Sequence, residues 1–102
     1  MSARRSVRLL IEDIAGAISS IFRRTDGLAR EKFVSDETLL KATVFDLQTI
    51  GEASKRLPPE LRDANPQVPW KQMASTRDFL AHGYYRLEPD LVWEIVERIS
   101  RR

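Results

Sequence analysis

The sequence predicts an all-α protein, an antiparallel helical bundle of four main helices plus a short helical turn. Three observations predict it. Apolar residues recur at steps of three and four through most of the chain. No segment alternates convincingly at period two, so no sheet is expected. Helix stops, at Thr25-Asp26-Gly27, Pro58-Pro59 and Gly83, leave only short connections between the apolar series.

The first series is Val7, Ile11, Ile14, Ile18, Ile21 and Phe22, which share one face of a helix over about residues 4–24. Residues 25–35 read as a loop. Asp36 is placed to cap the second long helix, whose inward stripe is Leu40, Val44, Leu47, Ile50, Ser54 and Leu57. Pro58 and Pro59 end it, because proline lacks the amide donor and disfavours helical geometry in the residue before it. The same pair can open a short turn through Glu60, Leu61 and Arg62. The segment Asn65–Pro69 is a rigid connector. A further helix is expected over about 70–81, released at Gly83. Pro89 suits the first turn of a last helix, carried by Leu91, Val92, Ile95, Val96 and Ile99. The two long helices should form a hairpin, with the C-terminal pair packed across it.

At 102 residues the chain amounts to a single domain spanning 1–102. With 42% hydrophobic and 31% charged residues, it should fold rather than stay disordered. A domain this small buries only about 60–65% of the surface of its unfolded chain. Its core is thin, and a partner surface would help to stabilise it. There is no cysteine, which excludes disulfides, thiolate metal sites and cysteine nucleophiles together. The one histidine, His82, excludes a multi-histidine zinc site within a protomer, so no metal is expected. Arg4, Arg5 and Arg8 could open a signal peptide, but Glu12 and Asp13 interrupt the apolar core it would need. No stretch approaches the roughly 18–20 apolar residues that span a bilayer, and the expected location is the cytoplasm. Net charge is only +2, too small to argue nucleic-acid binding alone, yet 13 of the 17 basic residues are arginine. Arginine's planar fork matches phosphate oxygens, though it is also an ordinary surface residue.

One helix carries an anomaly. Its inward stripe runs Trp70, Met73, Arg77, Leu80 and Tyr84, so Arg77 sits where an apolar residue belongs. An unpaired buried guanidinium is very unfavourable. Arg77 must meet a carboxylate, such as Glu52 or Asp46, or face a wet cavity, or lie at an interface. His82 follows five residues later, about 140° round and about 7.5 Å along an ideal helix. The length of arginine can still bring its head near the imidazole. Asp78 shares a face with His82 and can orient the ring, while a histidine here can equally cap free carbonyls at the helix end. Tyr84 returns close to the angle of Arg77, as a site residue or as a partly buried core tyrosine. Trp70 and Trp93 read as packing anchors.

The string TRDFLAHGYYRLEPDLVWEIVE, with arginine, four residues, histidine, one residue and tyrosine, resembles the signature of the HepT toxins of the HEPN superfamily. Arg77, His82 and Tyr84 match it in spacing, and Asp78 fits the polar residue that commonly follows the arginine. The likeness extends upstream through IGEASKRLPPELRDANPQVPW and downstream to Trp93. It departs at Glu88, where aspartate is usual, and at the terminus, which lacks the usual acidic residue, leucine and proline.

The resemblance implies a HEPN-like fold and a metal-independent endoribonuclease. In the implied reaction the RNA 2′-hydroxyl attacks the adjacent phosphate, with His82 exchanging protons, Arg77 stabilising phosphoryl charge and Asp78 orienting the site. It implies a homodimer whose two copies build one composite cleft. It further implies the toxin of a toxin–antitoxin module, silenced when a minimal nucleotidyltransferase antitoxin, MntA-like, adenylylates Tyr84. The alternative within the superfamily is a non-catalytic binding or scaffold partner of such a nucleotidyltransferase. A helix-turn-helix DNA binder is disfavoured, since no exposed basic recognition helix is evident.

Overall fold

The structure, a computed structural model, describes residues 6–68, 70, 71, 73, 74 and 88–100. Among these residues every regular element is a helix. Ser6 caps α1 (Val7–Thr25): its hydroxyl accepts from the Leu9 amide at 3.2 Å, satisfying a donor the first turn leaves free. Arg23 and Arg24 occupy the last turn, where the helix dipole favours positive charge. Gly27, at φ 72°, takes the left-handed conformation that turns the chain away, and any side chain there would be strained.

Residues 25–35 are not all loop. A six-residue helix, α2 (Arg30–Ser35), forms within them. It is too short to show periodicity, and its cause is tertiary: Phe33 is fully buried, and its ring packs on Trp93. Asp36, the single residue between them, then ends α2 and caps the start of α3 (Glu37–Arg56). Its amide donates to Phe33 O, its side chain accepts from Leu39 N at 3.0 Å, and its carbonyl accepts from Leu40 N. The Asp36 cap is as the sequence predicts. So is the α3 stripe, since Leu40, Val44, Leu47, Ile50, Ser54 and Leu57 are all buried.

The α1 stripe differs from expectation. Leu10, Ile14, Ala17 and Ile21 point inward, while Val7 and Ile11 are exposed. The apolar arc on α1 is wide enough to offer two phases at steps of three and four, and packing against α3 selects the one centred on Leu10 and Ile14. The two long helices run antiparallel. Leu10 and Asp13, near the start of α1, border the same groove as Ala53 and Arg56 near the end of α3.

α4 (Pro59–Asp63) is the expected short turn, with proline at its start. Asn65 Nδ2 donates to Leu61 O at 2.8 Å, and Trp70 Nε1 donates to Asn65 O at 2.9 Å, which makes the connector rigid. Helix α5 (Pro89–Ser100) contributes Val92, Trp93 and Val96 to the core. Each large apolar side chain in that core contributes roughly 1.5–3 kcal/mol relative to exposure. Among the described residues, the buried hydroxyls of Thr43 and Ser54 sit in the core without a hydrogen-bond partner. Among the described residues no helix is long and apolar enough to cross a membrane.

Candidate active site

The chain between α4 and α5 holds the expected site, and the described residues fix both of its ends. On the upstream side, Trp70, Lys71, Met73 and Ala74 are helical, as the predicted helix over 70–81 requires at its start. Met73 is 2% exposed and joins the core. Trp70 is half-buried, and the bond from its indole N–H to Asn65 holds it against the connector. On the downstream side, the Glu88 carbonyl accepts from Leu91 N at 3.0 Å and opens the first turn of α5. Arg30 of α2 pairs with Asp90 at 2.7 Å. Phe33 and Trp93 close the same junction with ring centroids 5.1 Å apart. Both tryptophans are packing anchors, as the sequence suggests.

Arg77, Asp78, His82 and Tyr84, with the remainder of the helix expected over 70–81, lie outside the described residues. Their neighbours bear on the alternatives left open for Arg77. Of the two carboxylates suggested as its partners, Asp46 is engaged by Arg24, at 2.5 Å and with both side chains largely shielded. Glu52 lines the groove between α1 and α3 and takes part in an interaction of its own, which does not decide between the alternatives for Arg77.

That groove is the surface feature the sequence reading missed. Leu10 and Asp13 border it from α1, and Phe45, Gln48, Thr49, Glu52, Ala53 and Arg56 from α3. It has a volume of about 360 Å³ and mixes an aromatic ring with charges of both signs. The available signal was Phe45 itself, a large apolar residue that falls outside the α3 stripe.

The sequence profile of the family described as ribonuclease HepT-like matches residues 14–101, which takes in the whole interval from Arg77 to Tyr84. Similarity over most of the chain points the same way. A candidate RNase of Methanocaldococcus jannaschii is 37% identical over 93 residues, covering 91% of this chain and 77% of its own length. Another, from Caldanaerobacter subterraneus subsp. tengcongensis, is 37% identical over 92 residues, covering 90% and 82%. A protein of Thermococcus cleftensis named a probable ribonuclease HepT is 36% identical over 94 residues, covering 92% and 86%. No solved structure matches the chain.

Proposed function

The chain belongs to the HepT-like ribonucleases of the HEPN superfamily, and we propose that it is a metal-independent endoribonuclease acting as the toxin of a toxin–antitoxin module. The observation that carries this reading is the ordered set Arg77, Asp78, His82 and Tyr84 inside the matched interval.

The chemistry follows from the residue types. The RNA 2′-oxygen attacks the adjacent phosphorus as its proton is taken up. The bond from phosphorus to the 5′-oxygen breaks, that oxygen receives a proton, and a cyclic phosphate end remains. Free histidine has a pKa near 6.5 and so exchanges protons at neutral pH, and His82 takes that role. Arg77 stabilises the charge that develops on the phosphoryl oxygens. Asp78 orients the imidazole. A single histidine does not readily serve as acid and base at once, and a two-fold homodimer supplies two histidines and two arginines to one cleft. An MntA-like minimal nucleotidyltransferase in the same cytoplasm neutralises the toxin by transferring AMP from ATP to the phenolic oxygen of Tyr84, which loses its proton as pyrophosphate leaves.

The direct test is RNA cleavage by purified protein beside a His82→Ala control. Cleavage that leaves cyclic phosphate ends and disappears in the variant supports the reading. Undiminished cleavage by His82→Ala would sink it.

A further inference from the structure

A second hollow, of about 750 Å³, opens between the end of α1 and Ser100, the last residue of α5. Phe22, Arg23 and the cap residue Asp26 line it from α1. With Ser19 these three fall within about 100° of arc, on the side of the helix opposite the buried Leu10, Ala17 and Ile21. Phe22 is half-buried, and Arg23 and Asp26 are exposed.

The two charges in this hollow stand apart from the others on the hairpin. Arg8, Arg24 and Arg30 each pair with a carboxylate. Arg23 donates to the hydroxyls of Ser19 and Ser20, both at 3.0 Å. Neutral hydroxyls fix the guanidinium without cancelling its charge. Asp26 lines the same hollow, yet its carboxylate has no hydrogen bond or ion pair among the described residues. It also caps the C-terminal end of α1, where the helix dipole opposes negative charge. The serine anchors draw the guanidinium back along α1, about 10 Å of helix rise from Asp26, with Phe22 between the two. Thr25 Oγ1 donates to the Ile21 carbonyl at 2.8 Å, and Ser100 Oγ donates to the Val96 carbonyl at 2.9 Å. With those protons committed, both oxygens remain only as acceptors. One end of the hollow therefore offers acceptors, the other a cation, and an aromatic ring separates them.

We propose that this hollow binds one guanosine nucleotide of an RNA chain, with its base on Phe22, its N1–H and N2–H donating to the Asp26 carboxylate, and its phosphate on Arg23. The inference rests on the ribonuclease reading above for its RNA, and adds a base-recognising contact that the cleavage chemistry does not use. A carboxylate accepts and cannot donate. Guanine is the base whose Watson–Crick edge carries two adjacent donors. Adenine and cytosine set a donor beside an acceptor, and uracil sets one donor between two acceptors. Stacking tolerates any base, so Asp26 decides which one is held. The guanidinium fork matches phosphate oxygens, and its distance from Asp26 spares the phosphate the repulsion of that carboxylate.

Fluorescence anisotropy of the full chain with labelled 2′-O-methyl tetranucleotides reads binding without cleavage, because the attacking hydroxyl is blocked. Oligouridine carrying one guanosine should bind at least about tenfold more tightly than the same oligomer carrying adenosine. Inosine, which lacks the N2 amino group, should fall between them. Asp26→Asn should reverse the order of guanosine and xanthosine, because the asparagine amide can donate to the C2 carbonyl of xanthine. Phe22→Leu keeps apolar bulk against the core, and it should weaken every oligomer by at least about fivefold. Equal affinity of the parent chain for guanosine and adenosine overturns the proposal, as does an unchanged order in Asp26→Asn. GMP that competes as well as the oligomer overturns the role of the pocket on RNA and assigns it to free guanosine nucleotides. A guanosine preference in a chain that cleaves no RNA supports the pocket and counts against the ribonuclease reading alone.

Discussion

The rings of Phe33 and Trp93 pack with centroids 5.1 Å apart and planes inclined by 45°, joining the shortest stretch of structure before α3 to the last helix. Phe33 is fully buried and Trp93 is 9% exposed, so the pair closes the core where α2 and α5 meet. Phe33→Ala should therefore cost about 3–5 kcal/mol. Urea denaturation followed by circular dichroism measures it. A loss below about 1 kcal/mol would mean that α2 is only a tether. The exposed ion pair beside it, Arg30 with Asp90, should contribute less than about 1 kcal/mol.

Two ion pairs of α1 should behave differently. Arg24 and Asp46 are 28% and 14% exposed, whereas Arg8 and Glu12 are 86% and 55% exposed. Asp46→Ala leaves a shielded guanidinium without its carboxylate and should cost roughly 1–3 kcal/mol. Glu12→Ala should change stability by less than about 0.5 kcal/mol. Thermal melts of the two variants against the parent give the ranking, and an equal loss in both would show that shielding is unimportant here.

Thr43 is fully buried with an unpartnered hydroxyl. Thr43→Val keeps the shape and removes the desolvated polar group, so stability should rise by about 1 kcal/mol. A fall in the melting temperature would reveal a hydrogen bond that forms during local motion of α3.

Catalysis should tolerate chelation. The proposed chemistry assigns no step to a metal, so wild-type cleavage should persist in EDTA. Arg77→Ala should lower it by roughly 10²-fold or more while the helical circular dichroism is retained. A strict need for a divalent ion would count against the assignment of both roles to Arg77 and His82.

Modification should select Tyr84 over Tyr85. The two are adjacent and chemically alike, but at helical spacing they point about 100° apart. After incubation with the nucleotidyltransferase and ATP, peptide mass spectrometry should place AMP on Tyr84. Placement on Tyr85, or full neutralisation of a Tyr84→Phe variant through continued adenylylation, would refute the assignment.

Helix content, the Asp36 cap, the α3 stripe and the Pro59 turn were all legible in the sequence, because each rests on local stereochemistry or on a long periodic run. Phe33 was not, because a helix of six residues is decided by what it packs against. The phase of α1 was ambiguous for a similar reason. Val7 and Ile11 are as apolar as Leu10 and Ile14, and only the position of α3 separates them. For the site, sequence spacing supplied the family, while the residues it nominates lie outside the described ones. The groove beside Phe45 went unseen because Asp13 and Arg56 lie 43 positions apart in the chain and meet only when the hairpin closes.

The joint at Asp36 makes the two sides of the hairpin unequal in their tolerance of length change. One residue ends α2 and caps α3, so there is no slack between them. Inserting a single residue there would turn α2 by about 100° against α3 and swing Phe33 away from Trp93. At the turn around Gly27, with open space about the glycine, an added residue would only lengthen a surface bend. Relatives that vary in length between α1 and α3 should therefore carry their insertions before Arg30, and keep the spacing from Phe33 to Leu40 fixed.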